Sequence, residues 1–391
     1  MLLLSALKRL NMKKIAFLSF DNPADRRSWS GTLNSEYLQL QKFYEVEWLC
    51  PKFNLVFLTF VKVFNKLRYL FTKKTYMPMY SSMLMNKLAM KKVNNNIKKG
   101  SFDVVFGVCT SAVQPFLKFN GPNIYMSDAI FSLMNGFYFK NMNNTCIRNG
   151  NSLEEKTMQN ASAVIFSSNW AKEGAIKDYK IDENKIVVVP FGANIDVPEI
   201  KDKEIDLEND AIHILFIGVD WNRKGGNIAV KTVYLLNKIQ NKYKFVLDAI
   251  GGKPDYPVDE KVILLHGFIN KNDKKELDYF YEIIDKAYLN ILPTKAECSS
   301  IALIEASAYG IPSITYNVGG TLTNVRDGVT GYCLDLSCDE NDFAKKILNL
   351  VNNKTLYKKI AESGKKLVND ELNWNVWGQK VHDIIKNLIG E

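Results

Sequence analysis

The chain of 391 residues holds no run of about 18 uncharged apolar residues, the length a helix needs to cross a bilayer, so nothing in it reads as a membrane span. Its opening, MLLLSALKRLN, is apolar, but the charges follow the apolar part and no small-residue cleavage site comes after. It does not read as a secretory signal, and Met12, ahead of Lys13 and Lys14, is an alternative start. The six cysteines (Cys50, Cys109, Cys146, Cys298, Cys333, Cys338) form no CxxC pair and no metal-ligand spacing, and scattered thiols of this kind suit a reducing cytoplasm. Histidines number three, His213, His266 and His382, and His266 reads as structural rather than catalytic. There is no internal repeat and no low-complexity tract.

One absence is local. From Trp48 to Phe102 there is no Asp or Glu, while eleven of the 51 Lys and Arg residues fall there. The net charge of +9 comes from this segment alone, and the rest of the chain is close to balanced. Within it, Phe53 to Phe71 reads FNLVFLTFVKVFNKLRYLF, with Lys62, Lys66 and Arg68 set among aromatic and aliphatic residues. A basic, aromatic-bearing helix suits the surface of an anionic membrane or a lipid-linked acceptor better than nucleic acid. A core helix with solvated lysines is the alternative.

What the chain does have is a large apolar fraction, 47%, with 24% charged residues, enough to bury two domain cores. The most informative stretch runs from Asn290 to Asp335 (NILPTKAECSSIALIEASAYGIPSITYNVGGTLTNVRDGVTGYCLD). Ala287 to Leu292 reads as a buried strand closed by Pro293. A polar loop follows, then a helix through Ile301, Leu303, Ile304, Ala306 and Ala308 that stops at Gly310 and Pro312. A second strand, Pro312 to Tyr316, leads to Gly319 and Gly320. Strand, loop, helix, strand and glycine turn make half of a nucleotide-binding α/β unit. Two carboxylates, Glu297 in the loop and Glu305 in the helix, are separated by seven residues and face the same crevice at the carboxyl edge of the sheet. A carboxylate accepts two hydroxyl hydrogen bonds at once, so Glu305 suits the vicinal diol of a ribose and Glu297 a sugar ring. Ser299, Ser300 and Ile301 open the helix, where free N–H groups and the helix dipole favour phosphate or sugar hydroxyls.

A similar unit opens with Ile212 to Gly218 (IHILFIG), followed by VDWNRKGG and a helix from Asn227 to Ile239. The turn after Gly218 carries Arg223 and Lys224, two cations able to clamp a diphosphate and neutralise the charge that develops as a nucleotide departs. Earlier, Lys14 to Phe20, Val46 to Leu49, Asp103 to Val108, Asn123 to Met126, Ala163 to Ser168 and Ile186 to Val189 read as strands. Leu33 to Tyr44 and Leu153 to Asn160 read as helices. The polar run Asp196 to Asp210 reads as a linker.

The Glu-x7-Glu spacing, the EASAYGIPSI run and VGG…VRDGVTGY resemble the donor site of retaining GT-B glycosyltransferases, the large group one glycosyl transferase family. The resemblance implies an α/β protein of two Rossmann-like domains facing across a cleft, with the last helix crossing back to the first domain. The expected division is 1–192 as an acceptor-binding domain, with 372–391 packing back on it, and 193–371 as the sugar-nucleotide domain. VVVPFGAN matches the hinge. The resemblance also implies that Gly31 lines the site after the first strand, that Ile269 meets the nucleotide base, and that Asp128 stands where many relatives carry a histidine. Thr323 departs from the glutamate usual three residues after the paired glycines, and Val219 from an arginine usual in that turn. The expected activity is retaining, metal-independent transfer from a nucleoside-diphosphate sugar, with no cofactor, since no Asp-x-Asp pair sits at a strand end. The expected acceptor is a glycan or lipid-linked sugar at the inner face of a membrane. A sugar-nucleotide epimerase of the same fold and a non-catalytic nucleotide-sugar binding protein are the alternatives.

Overall fold

The computed structural model describes residues 12–196 and 211–391, so the apolar opening and nearly all of the expected linker lie outside the described residues. The chain forms two compact units, one running through Val189 and taking in Trp377–Glu391, the other Pro190–Val376.

The first unit is built on strands β1 (Lys14–Leu18), β2 (Glu45–Leu49), β3 (Val104–Val108), β4 (Asn123–Ser127), β5 (Ala163–Phe166) and β6 (Ile186–Val188). Their order is β2-β1-β3-β4-β5-β6, and every pairing is parallel. Parallel strands are covered on both faces, which is why KIAFL and VVFGV are almost continuously apolar. The order changes direction between β1 and β3. The helix Trp374–Ile389 returns to this unit. Trp377 is fully buried with its ring 6.2 Å from Phe106, and His382 stacks on Phe43 at 4.3 Å while Tyr44 Oη lies 2.7 Å from its Nδ1.

Two helices here exceed what the sequence pattern predicts. The short helix expected at Leu153 begins at Asn144, because Asn143 accepts from the Thr145 N–H as a cap and Gly150 lets the helix press against the Phe131 ring. The acid-free segment holds a second helix, Met83–Lys99, behind the expected one at Leu55–Thr72. In Leu55–Thr72 only Val61 and Asn65 are buried. Val56, Phe60, Val63, Phe64, Leu67 and Phe71 line an exposed face, with Phe71 87% exposed.

Glu154 lies buried in the helix Asn144–Asn160. Burial pushes its carboxyl up to about 7, against the pull of hydrogen bonds from Tyr125, Ser111 and the Phe131 N–H. A folded value above the unfolded one means that its contribution is intact below about pH 4.5 and is lost as pH rises through 7. Over that window the first unit should lose about 3 kcal/mol. Urea unfolding from pH 5 to 8 should therefore slope downward in the wild type and flatten in Glu154→Gln. Equal slopes would show that the group does not titrate there.

The second unit carries β7 (Ile212–Gly218), β8 (Phe245–Gly251), β9 (Ile263–Gly267), β10 (Ala287–Leu292), β11 (Ser313–Tyr316) and β12 (Gly331–Leu334), ordered β12-β11-β10-β7-β8-β9 and all parallel. Its core joins Ile214, Phe216, Leu247, Ile291, Ile314 and Phe343. Here the order reverses between β7 and β10, and open α/β sheets bind ligands outside the carboxyl ends of the strands at such a point. The two Rossmann-like sheets and the returning last helix make the GT-B architecture.

Candidate functional site

At the reversal in the second unit, two loops leave adjacent strand ends and are joined by side chains. After β7, Asp220 caps a single helical turn, Trp221–Lys224, by accepting from the Arg223 N–H at 3.1 Å. Lys224 folds over Gly218, where an added Cβ would lie 2.7 Å from the Lys224 Cβ. After β10, Glu297 is buried, and its carboxylate pairs with the Lys224 ammonium across the reversal point. Arg223 donates from Nη1 to the Ala296 carbonyl at 2.8 Å and lies 3.8 Å from the same Glu297 oxygen, while its own carbonyl accepts from Lys295 N–H at 2.8 Å.

Two glycines permit this closeness. Gly225 (φ 81°) backs onto the Pro293 carbonyl and Gly319 (φ 55°) onto the Glu297 carbonyl, each where a Cβ would collide with backbone. Gly320 N–H then donates to Glu297 O at 3.1 Å, tying the turn after β11 to the same loop. Asp220 also lies 3.6 Å from Arg223 Nε, so Arg223, Lys224 and Lys295 stand against Asp220 and Glu297, and the two loops keep one net positive charge for a diphosphate.

The helix Ile301–Ala308 starts beside them. The hydroxyls of Ser299 and Ser300 are buried without a hydrogen-bond partner among the described residues, and so is the Asn324 amide nitrogen, whose oxygen accepts from Ser300 N–H at 3.1 Å. Buried donors left unpaired are costly, and a cluster of them at a helix start is ready to receive anionic or hydroxyl oxygens. Farther along, the buried Glu305 accepts from Lys271 Nζ at 2.6 Å, and that ammonium also sits 4.4 Å above the Phe280 ring. Ile269, buried in the loop after β9, precedes Lys271 by two residues. His266 belongs to a separate network: its Nε2 is 2.8 Å from Asp248 and its Nδ1 2.7 Å from Tyr279 Oη, while His213 Nδ1 is 2.6 Å from the other Asp248 oxygen.

The structure thus brings Gly218, Arg223, Lys224 and Glu297 into one cluster, sets Ser299, Ser300 and Ile301 at its helix start, and puts Glu305 with Lys271 on the same unit. Gly31 and Asp128 belong to the first unit. Gly31 (φ 91°) ends a left-handed run with Trp29 (φ 51°) and Ser30 (φ 57°), and the Trp29 indole N–H donates to Asp128 at 3.3 Å. Asn324, Lys271 and Trp29 escape sequence reasoning because each works through a partner distant in the chain. Asn324 offers one signal, one residue beyond the departure at Thr323. Among the described residues no group of three or more His, Cys, Asp or Glu side chains could hold a metal ion, and no helix is long and apolar enough to cross a membrane.

Comparison with known proteins adds to this geometry. Residues 198–367 match the family model described as "Glycosyl transferases group 1". The capsular polysaccharide biosynthesis glycosyltransferase CapM of Staphylococcus aureus is 24% identical over 253 residues, 61% of this chain and 65% of that protein. Two further curated relatives are matched over 55% and 60% of their lengths, so the chain spans less than two thirds of each. Among solved structures, the sucrose-phosphate synthase of Thermosynechococcus elongatus superposes with a TM-score of 0.70 at 15% identity, over 97% of this chain and 99% of that one. The HepE protein of Anabaena, crystallised with UDP and glucose, gives 0.65 at 14% identity, over 96% and 100%.

Proposed function

We propose that this chain, whose residues 198–367 belong to the glycosyl transferases group 1 family, moves a sugar from a nucleoside-diphosphate sugar to a glycan or lipid-linked acceptor, retaining the configuration at the transferred carbon and using no metal. The observation that carries the reading is the Lys224–Glu297 pair across the strand-order reversal, beside the unpartnered hydroxyls of Ser299 and Ser300. In this reading Lys224 and Arg223 hold the diphosphate and offset the charge left on it as the glycosidic bond breaks, in place of a cation. The helix start takes remaining phosphate or sugar oxygens. Glu297 orients the donor ring and steadies the positive charge that develops at its reacting carbon. The acceptor hydroxyl attacks from the face the nucleotide leaves, and the departing phosphate oxygen takes its proton. Glu305, steadied by Lys271, accepts from the ribose diol, Ile269 lies against the base, and Gly31 and Asp128 serve the acceptor on the first unit.

UDP bound to the Anabaena neighbour supports a uridine donor as the first to test, and the role named for CapM supports an acceptor in cell-surface polysaccharide assembly. The exposed apolar face of Leu55–Thr72 and its lysines support a place at the surface of an anionic membrane.

The test is thermal unfolding with UDP, GDP, ADP and their common sugars, with and without Mg²⁺. At a nucleotide concentration of a hundred times Kd, the stabilisation is about 2.7 kcal/mol, a shift of several degrees. One nucleotide should give it regardless of metal, and Lys224→Ala should abolish it. No shift with any nucleotide would overturn the donor site, and binding without turnover would favour a nucleotide-sugar binding protein.

A further inference from the structure

The loop after β9 carries a cation that the diphosphate cluster does not use. Gly267 (φ 72°) turns the chain out of the strand, and the residues beyond it are braced by their own hydrogen bonds. Asn270 N–H donates to Glu276 Oε2 at 2.6 Å, Asn270 Oδ1 accepts from the Asn272 N–H at 3.1 Å, and the Asn270 carbonyl accepts from the Asp273 N–H at 2.9 Å. Asp273 then caps the helix Lys274–Lys286 by accepting from the N–H groups of Lys275 and Glu276. Lys271 projects from this fixed turn. Its ammonium lies 4.4 Å from the centroid of the fully buried Phe280 ring and donates to Glu305 Oε1 at 2.6 Å.

The pair is open on one side. Lys271 is 23% exposed, and Glu305 Oε2 takes no bond from the described residues and is not sealed from solvent. An ammonium has three N–H donors; here one goes to Glu305, and the Phe280 ring face lies against the charge on another side. A donor on Lys271 is therefore left beside an acceptor on Glu305. A vicinal diol answers that arrangement, one hydroxyl donating to Oε2 and its neighbour accepting from Nζ. A phosphate would meet Glu305 with like charge, and a single hydroxyl would leave one of the two groups unanswered. Charged groups that are mostly covered are costly to leave unpaired, so a site built for two hydroxyls rejects the analogue that lacks one.

We propose that Lys271 is a nucleotide-binding residue of this chain: its ammonium donates to one ribose hydroxyl, aims Glu305 at the other, and so selects ribonucleoside diphosphates over their 2′-deoxy counterparts. Sugars carried on deoxythymidine diphosphate are thereby excluded as donors. Lys271 is at the same time a positioning residue, because without it Glu305 is a buried carboxylate with no counter-charge, free to turn away or to take up a proton. The inference rests on the transferase reading above and deepens it by naming what separates accepted donors from rejected ones.

The experiment measures the binding of UDP, GDP and ADP, and of the 2′-deoxy form of each, to the full chain by isothermal titration calorimetry. In the wild type the tightest ribonucleotide should bind about ten- to a hundredfold more tightly than its 2′-deoxy form, the worth of a hydrogen bond to a charged group. Lys271→Met should weaken the ribonucleotide and bring that ratio close to one, since the deoxy form has less to lose. A merely structural loss would lower both nucleotides together and leave the ratio intact. Lys271→Arg, which keeps a donor and a cation over Phe280, should restore part of the ratio. Lys271→Met combined with Glu305→Gln removes both charges, so it strands neither, should keep wild-type thermal stability, and should again show a ratio close to one. A wild-type ratio near one, or an undiminished ratio in the double variant, would overturn the inference while ribonucleotide binding still upholds the donor site. No binding of any nucleotide to the wild type would overturn both.

Discussion

Glu297→Gln should lower sugar transfer by roughly 10²–10³-fold while the nucleotide still binds, the loss seen when one preorganised electrostatic group is removed from a reaction centre. The substitution keeps the shape and removes the charge that faces Lys224 and Arg223. Both members of the Lys224–Glu297 pair are well covered, so deleting one leaves the other charge stranded, and the single variant should also be less stable. The double variant Lys224→Met with Glu297→Gln removes both charges and should recover stability without recovering turnover. Nucleotide release from donor sugar, measured with unfolding on the same samples, separates the two effects. Turnover in Glu297→Gln above a third of wild type would mean that the carboxylate organises the loop and takes no part in the reaction.

The second large effect belongs to the first unit. The helix Leu55–Thr72 presents three sectors: Val61 and Asn65 inward, Lys62, Lys66 and the capping Lys73 on one flank, and the row from Val56 to Phe71 outward. Phe60 and Phe64 stack at 6.4 Å, and Arg68 lies 5.5 Å over the Phe64 ring, so these outward side chains pack on one another. An apolar row of this length beside lysines matches an interface where acyl chains meet anionic head groups. Each lysine near such a surface contributes about 1 kcal/mol, so changing Lys62, Lys66, Lys73 and Lys74 to Gln should weaken binding to phosphatidylglycerol vesicles about 10³-fold. Added salt should weaken the wild type in the same direction. Phe60→Ser with Phe71→Ser should reduce vesicle binding with the charge intact. Unchanged cosedimentation in both variants would remove the membrane from the account.

The parts of the fold legible in the sequence were those written as local periodicity. The strand Ala287 to Leu292 and the helix from Ile301 occupy the residues their apolar patterns mark, because a buried parallel strand and a short buried helix leave no freedom in which positions are apolar. The helix Asn144–Asn160 opens with Asn, Thr, Arg and Gly, which read as loop. The Asn143 cap, the Phe131 ring against Gly150, the burial of Cys146 and the bond from Asn149 to the Tyr80 carbonyl hold that stretch helical, and each depends on a partner outside it. The strand Gly331–Leu334 was missed for a related reason: it is short, and pairing with β11 defines it. The loops after β7 and β10 show the same division. The glycines and the two glutamates are visible as spacing, whereas Lys271 reaches Glu305 across 34 residues and Asn324 reaches Ser300 across 24. Glu36 was invisible because an acid on a helix is ordinarily solvated, and only the packing around it shows otherwise.

The return of Trp377–Glu391 to the first unit bears on how the chain is born. Trp377, Val381 and Ile385 are buried there, so the patch they cover, which includes Phe106, stays uncovered until residues made after the entire second unit have been added. At about 5–20 residues per second, synthesis leaves that patch open for on the order of tens of seconds. The second unit, contiguous from Pro190 to Val376, needs no such wait. On the ribosome the order of completion is therefore inverted relative to the order of translation, and the first unit is the one that waits with apolar surface exposed.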